Sequence, residues 1–104
     1  MIVVLGSVTV QEGRMAEALA LSRAHVLRSR AEPGCLEHGV SVDAENANRL
    51  VFVERWDGSA ALQAHFAVPA SRSFVKALAA LASAPPAMAL FQATEVGPPN
   101  QRGR

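Results

Sequence analysis

Residues 35–56 read CLEHGVSVDAENANRLVFVERW, and the way its two halves pair decides the fold. CLEHGVSVD and RLVFVERW are rich in apolar and β-branched residues, and the polar stretch DAENAN (43–48) between them suits a hairpin loop. Side chains alternate along a strand. Leu36, His38, Val40 and Val42 therefore share one face of the first strand, opposite Cys35, Glu37, Ser41 and Asp43. Along the second strand, Leu50, Phe52, Glu54 and Trp56 share a face, and Val51, Val53 and Arg55 take the other. Pairing Val42 with Leu50 lays both apolar sets on one side, with His38 opposite Glu54 and Leu36 opposite Trp56. A two-residue slip keeps the faces and sets His38 against Phe52 instead.

Outward from this hairpin, IVVLGSVTV (2–10) is a β-branched strand. Arg14 to Ala31 favours a helix, with Met15, Ala18, Leu19, Leu21 and Val26 near helical spacing. The EPG at 32–34 stops it, because proline disfavours helix before it and glycine accepts left-handed geometry. After the hairpin, Asp57 or Ser59 can cap a short helix whose face carries Leu62, His65 and Phe66. Pro69 suits the first turn of a third helix, with Phe74, Leu78 and Leu81 along one stripe, and Pro85 and Pro86 end it. Met88 to Val96 reads as a last strand. The order β-α-β-β-α-α-β points to a ferredoxin-like α+β domain over residues 1–96, one layer of helices on an antiparallel sheet, with 97–104 expected to be a disordered tail. The uncovered sheet face would show Val51 and Val53, so a homodimer is expected.

With 104 residues, half of them apolar, the chain makes one domain with an adequate core. The formal net charge is +1, and Arg102 and Arg104 of the tail contribute to it, so the domain itself lacks the basic surface a nucleic-acid partner needs. Arg14, Arg23, Arg28 and Arg30 read as the solvated face of the first helix, and His25 as structural or solvated there. No apolar run approaches the ~20 residues of a membrane span. MIVVLGSVTV lacks the basic start of a signal peptide, and the single cysteine, Cys35, fits a reducing compartment, so the cytoplasm is expected. Cys35 reads as a small buried residue. A zinc site from Cys35 and His38 is not expected, since an offset of three puts them on opposite strand faces. No HExxH, GxSxG or glycine-rich phosphate loop occurs, and no metal site is expected.

The chemistry-bearing residues converge on the second strand of the hairpin and the helix after it. Glu54 sits among apolar neighbours, where desolvation raises a carboxyl pKa and a nearby imidazolium lowers it, so it is a candidate proton acceptor. His65 can lean over the same patch, and Trp56 offers a flat wall to an aromatic ligand. Each has a plainer reading: Trp56 as core, His38 as a hydrogen-bonded core histidine, Glu54 as a partner of Arg55 or Arg49.

EPGCLEHGVSVD and NRLVFVERWDGSAALQAHF resemble the antibiotic biosynthesis monooxygenase domain family, with Glu54, Trp56, Asp57, Ala61, Leu62 and His65 on its E-x-W-x-(D/S)-x-x-A-L-x-x-H pattern. The resemblance spans residues 1–96 and implies a dimeric α+β barrel. It also implies oxidation of small quinols, phenols or polyketide-like aromatics by dioxygen with no cofactor, because a deprotonated electron-rich ring can itself reduce dioxygen. On that reading Glu54 or His65 takes the proton, Trp56 orients the ring and His38 donates to an oxygen, with Phe52, Leu62 and Phe66 completing an apolar cleft. His38 stands where relatives commonly carry tyrosine, and Phe52 where a polyketide-oxidising member has asparagine. Haem-degrading relatives use a first-strand asparagine, and Gly6 or Ser7 occupies that stretch here. The alternatives are a non-catalytic dimeric module that binds a small aromatic molecule, and an isomerase or cyclase that uses the same proton acceptor without oxygen.

Overall fold

A computed structural model of the chain describes residues 1–99. Residues 100–104, most of the expected disordered tail, lie outside the described residues. The elements run β1 (Ile2–Thr9), α1 (Met15–Ser29), β2 (Cys35–Asp43), β3 (Asn46–Trp56), α2 (Ser59–Ala67), α3 (Pro69–Leu81) and β4 (Ala87–Gln92). The four strands form one antiparallel sheet in the order β2-β3-β1-β4, with the helices on one face. This is the ferredoxin-like α+β fold expected from the sequence. None of the described helices is long and apolar enough to cross a membrane.

Val42 does pair with Leu50, and His38 lies opposite Glu54. The hairpin turn is tighter than DAENAN suggests, since Asn46 already pairs with Asp43. A bulge then changes the start of β2: Cys35 faces Trp56 and Glu37 faces Arg55, leaving Leu36 as the extra residue. Leu36 is half exposed instead of opposite Trp56, and Cys35 joins His38 on the helix-covered face. The extra residue resets the alternation, so Cys35 and His38 share a face despite their offset of three. Cys35 is half-buried, and burial pushes its thiol pKa up.

Hydrophobic burial divides the helix-covered face into two clusters. Val8, Val10, Ala18, Leu50, Phe52, Leu78 and Leu81 form the larger, with Met15, Leu19, Leu21 and Phe74 packed on it. Val4, Trp56 and Leu62 form the smaller. The buried face of α1 is Ala18, Ser22, His25, Val26 and Ser29, which is helically spaced but mostly small or polar. Ser22 and Ser29 satisfy their hydroxyls within the helix, donating to the carbonyls of Ala18 and His25 at 2.7 Å each. That internal bonding lets polar residues face a dry sheet. Of the four arginines expected in solvent, Arg28 is half-buried and bonds His25, while Arg30 stays exposed and its Nε donates to the His38 carbonyl at 2.9 Å.

Gly34 ties the turn before β2 to α2. Its φ is +81°, and a Cβ there would lie 2.5 Å from the Cβ of Ala61. α2 begins after Gly58 with no side-chain cap, so neither Asp57 nor Ser59 plays the expected role. Pro69 does occupy the first turn of α3. β4 stops at Gln92, four residues before Val96.

Candidate functional site

Where the apolar clusters meet, the helix-covered face of β3 turns polar. Glu54 is only 6% exposed, between Phe52 and Trp56 on the same face. The expected ion pairs do not form, because Arg55 binds Glu37 and Arg49 binds Asp43. Instead Trp56 Nε1 donates to Glu54 Oε1 at 2.9 Å, and His38 Nε2 lies 3.3 Å from the same oxygen. Burial pushes the Glu54 pKa up, but His38, Trp56 and His65 together hold it below the usual carboxylate value. Glu54 is therefore a buried carboxylate kept ionised.

Three histidines gather around it, from α1, β2 and α2. One ring nitrogen from each of His25, His38 and His65 lies within 4.8 Å of the others, and all three residues are buried. His65 Nδ1 lies 2.9 Å from Glu32 Oε1. A carboxylate oxygen accepts here, so Nδ1 is the donor, and in the neutral ring the lone pair is on Nε2. His25 has the opposite arrangement. Arg28 Nη2 lies 2.8 Å from its Nδ1, and a guanidinium only donates, so the neutral ring carries its proton on Nε2. The His25 pKa is lowered from 6.5 to about 3, first by burial and then by His38, His65 and Arg28. His25 stacks on Phe74 with centroids 4.0 Å apart and planes 7° from parallel.

Beside this cluster opens a cavity of about 420 Å³, in the size range of small-molecule sites. Its polar wall is His25, Glu54 and His65, and Gly6, Phe52, Phe66, Phe74 and Met88 supply much of the rest. Ser71, Arg72 and Lys76 border it from α3. Among the residues singled out in the sequence, Glu54, His65, Phe52 and Phe66 thus reach one cavity. Trp56 and His38 do not. Trp56 is fully buried behind Glu54, and both ring nitrogens of His38 are sealed from water, Nε2 against the Glu54 carboxylate and Nδ1 without a partner. Leu62 borders a separate hollow with Ile2, Gln63, Leu90 and Phe91. Side-chain parity placed His38, Phe52, Glu54 and Trp56 on one side of the sheet, but Leu62 of α2 packs on Trp56 and leaves Glu54 at the cavity edge.

His25, expected to be structural or solvated, was the residue missed. The spacing Ala18, Ser22, His25, Ser29 on α1 was the signal, carried by small residues instead of large apolar ones.

Three buried imidazoles also make a donor set of the kind that holds transition-metal ions. A metal on all three through Nε2 of His25 would require that ring to move its proton to Nδ1, against Arg28.

A model of the antibiotic biosynthesis monooxygenase family matches residues 1–77. The chain belongs to that family. It is 33% identical over 94 residues to the uncharacterized protein sll1783 of Synechocystis, a match covering 90% of this chain and spanning 64% of that protein's length. Among solved structures it resembles an antibiotic biosynthesis monooxygenase at a TM-score of 0.84 and 27% identity, covering 91% of this chain and all of that one. It also shares its fold with a putative antibiotic biosynthesis monooxygenase of Deinococcus radiodurans, at a TM-score of 0.89 and 24% identity, covering 94% of this chain and 97% of the other. Membership in the family agrees with a monooxygenase-like function.

Proposed function

We propose that this chain is a cofactor-independent monooxygenase for a small quinol, phenol or polyketide-like aromatic, acting as a cytoplasmic homodimer. The carrying observation is the apolar cavity lined by His65, whose Nδ1 is held by Glu32. A base of that form takes a phenolic proton, and the Glu32 carboxylate stabilises the imidazolium that results. The anion of an electron-rich ring then passes electrons to dioxygen itself, so the protein supplies a base, a dry cleft and orientation. Glu54 already accepts from Trp56 beside His38, so its ionised carboxylate serves the cleft electrostatically and His65 takes the proton. Phe52 and Phe66 give the ring its apolar walls.

The uncovered sheet face supports the homodimer. Val53, Leu5 and Phe91 lie on that face of adjacent strands and are 38%, 47% and 50% exposed. Phe91→Glu should shift the protein to monomer in light-scattering chromatography.

A non-catalytic aromatic-binding module is the second reading, favoured by the engagement of Glu54 with Trp56. Oxygen uptake by metal-free protein against reduced quinols and anthrones separates the two. Uptake above the uncatalysed rate that falls in His65→Ala supports the oxygenase. Turnover that persists without oxygen would indicate an isomerase or cyclase, and binding without turnover would indicate the module.

A further inference from the structure

The histidines of the cavity wall differ in their free nitrogens. Arg28 sets His25 as an Nε2–H donor, and Glu32 sets His65 as an Nε2 acceptor. Both rings border the same cavity, whereas the ring nitrogens of His38 are sealed away from water. His25 and His65 have ring centroids 5.3 Å apart. Such a pair meets one phenolic oxygen from two sides: His65 accepts its proton while His25 holds the oxygen as negative charge grows on it.

We propose that His25 is a catalytic residue, a neutral hydrogen-bond donor to the substrate oxygen, with Arg28 as the positioning residue that fixes its tautomer. This rests on the phenol-binding reading of the cavity and adds a role that Glu54 and Trp56 do not fill. His25 keeps its proton throughout, and the only proton transferred is the substrate's, to His65 Nε2. Neutrality matters because the ring must donate without competing as an acid. Burial enforces that state, and the groups around the ring are His38 on β2, Glu54 on β3, His65 on α2 and Arg28 on α1 itself. Phe74 on α3 fixes the ring plane. The arrangement also disfavours a metal on this trio, because the donor nitrogen has no lone pair to offer.

The test uses the full chain labelled with 15N, with 2-naphthol as a redox-inert phenol probe. Long-range 1H–15N spectra at neutral pH should show His25 protonated on Nε2 alone and His65 on Nδ1 alone. Arg28→Leu should return His25 to a mixture of tautomers, and Arg28→Gln, which can still donate, should restore the Nε2–H form. Adding 2-naphthol should move the His25 Nε2–H proton downfield, and His25→Phe, which keeps the stack on Phe74, should weaken binding about tenfold, the loss of one hydrogen bond to a developing anion. If wild type and His25→Phe bind 2-naphthol equally, the role of His25 is overturned and the cleft stands. If 2-naphthol perturbs no cavity resonance, the cleft reading and the proposal fall together. A His25 protonated on Nδ1, or a tight cobalt(II) complex with ligand-field bands, would overturn the tautomer assignment itself.

Discussion

Two glutamate–histidine pairs stand within one cluster and differ in what surrounds them. In the first, Glu54 and His38 face each other across β3 and β2, with Trp56 sharing the same carboxylate oxygen and both imidazole nitrogens sealed from water. In the second, Glu32 reaches from the turn before β2 to His65 on α2, and the ring borders the cavity. The first pair lies within the sheet and fixes where a charge sits. The second bridges a turn and a helix and presents a lone pair to whatever enters. On the proposed function, one chemical pair serves as an electrostatic wall in the one setting and as a base in the other.

Substitutions that strike one pair and spare the other test this contrast. Glu54→Leu should have the largest effect, about 3 kcal/mol of lost stability, because it strands the Trp56 indole N–H and His38 in a dry site. Urea unfolding should show a lower midpoint at an unchanged slope. Glu54→Gln keeps an acceptor and should lose about 1 kcal/mol. Gly34→Ala ranks between these two, at about 2 kcal/mol, from a strained φ and the clash with Ala61. It should push α2 from the turn that carries Glu32, so the His65 Nδ1–H resonance should shift.

The pH profile is a subtler probe. His25 is held neutral in the fold, its pKa falling from 6.5 to about 3, so its contribution is complete above pH 6.5 and is lost as pH falls toward 3. Glu54, whose pKa is also depressed, contributes above its ordinary value and is lost further into acid. The urea midpoint should therefore decline steadily on acidification from pH 6.5, and His25→Phe should flatten the upper part of that decline. Glu32→Gln should have the smallest effect on stability, under about 0.5 kcal/mol, since an amide oxygen still accepts from His65. It should nevertheless lower quinol-dependent oxygen uptake on the order of tenfold, by removing the charge behind the base.

Much of this was legible in the sequence. The match of Val42 with Leu50 follows from alternation on both strands, because one wrong step would expose every apolar residue. His38 opposite Glu54 follows with it. The displacement of Leu36 was hidden, since a bulge leaves the composition of a strand unchanged. His25 was hidden for a different reason. Hydrophobic periodicity looks for large apolar side chains, and α1 buries serines that bond to their own helix. The withdrawal of Trp56 and Leu62 from the cavity depended on where α2 lands, which Gly34 and Ala61 determine through a contact distant in sequence.

The bulge at Leu36 bears on how this chain could change in length. Cys35 opposite Trp56 and Glu37 opposite Arg55 already bracket a step that one fewer residue would fill. Deleting Leu36 would thus convert an irregular ladder into a regular one without inverting the faces on either side. Within the regular ladder from Glu37 to Val42 a one-residue deletion would swap inside for outside. The bulge is thus a place where β2 can lose a residue while the histidine cluster keeps its phase.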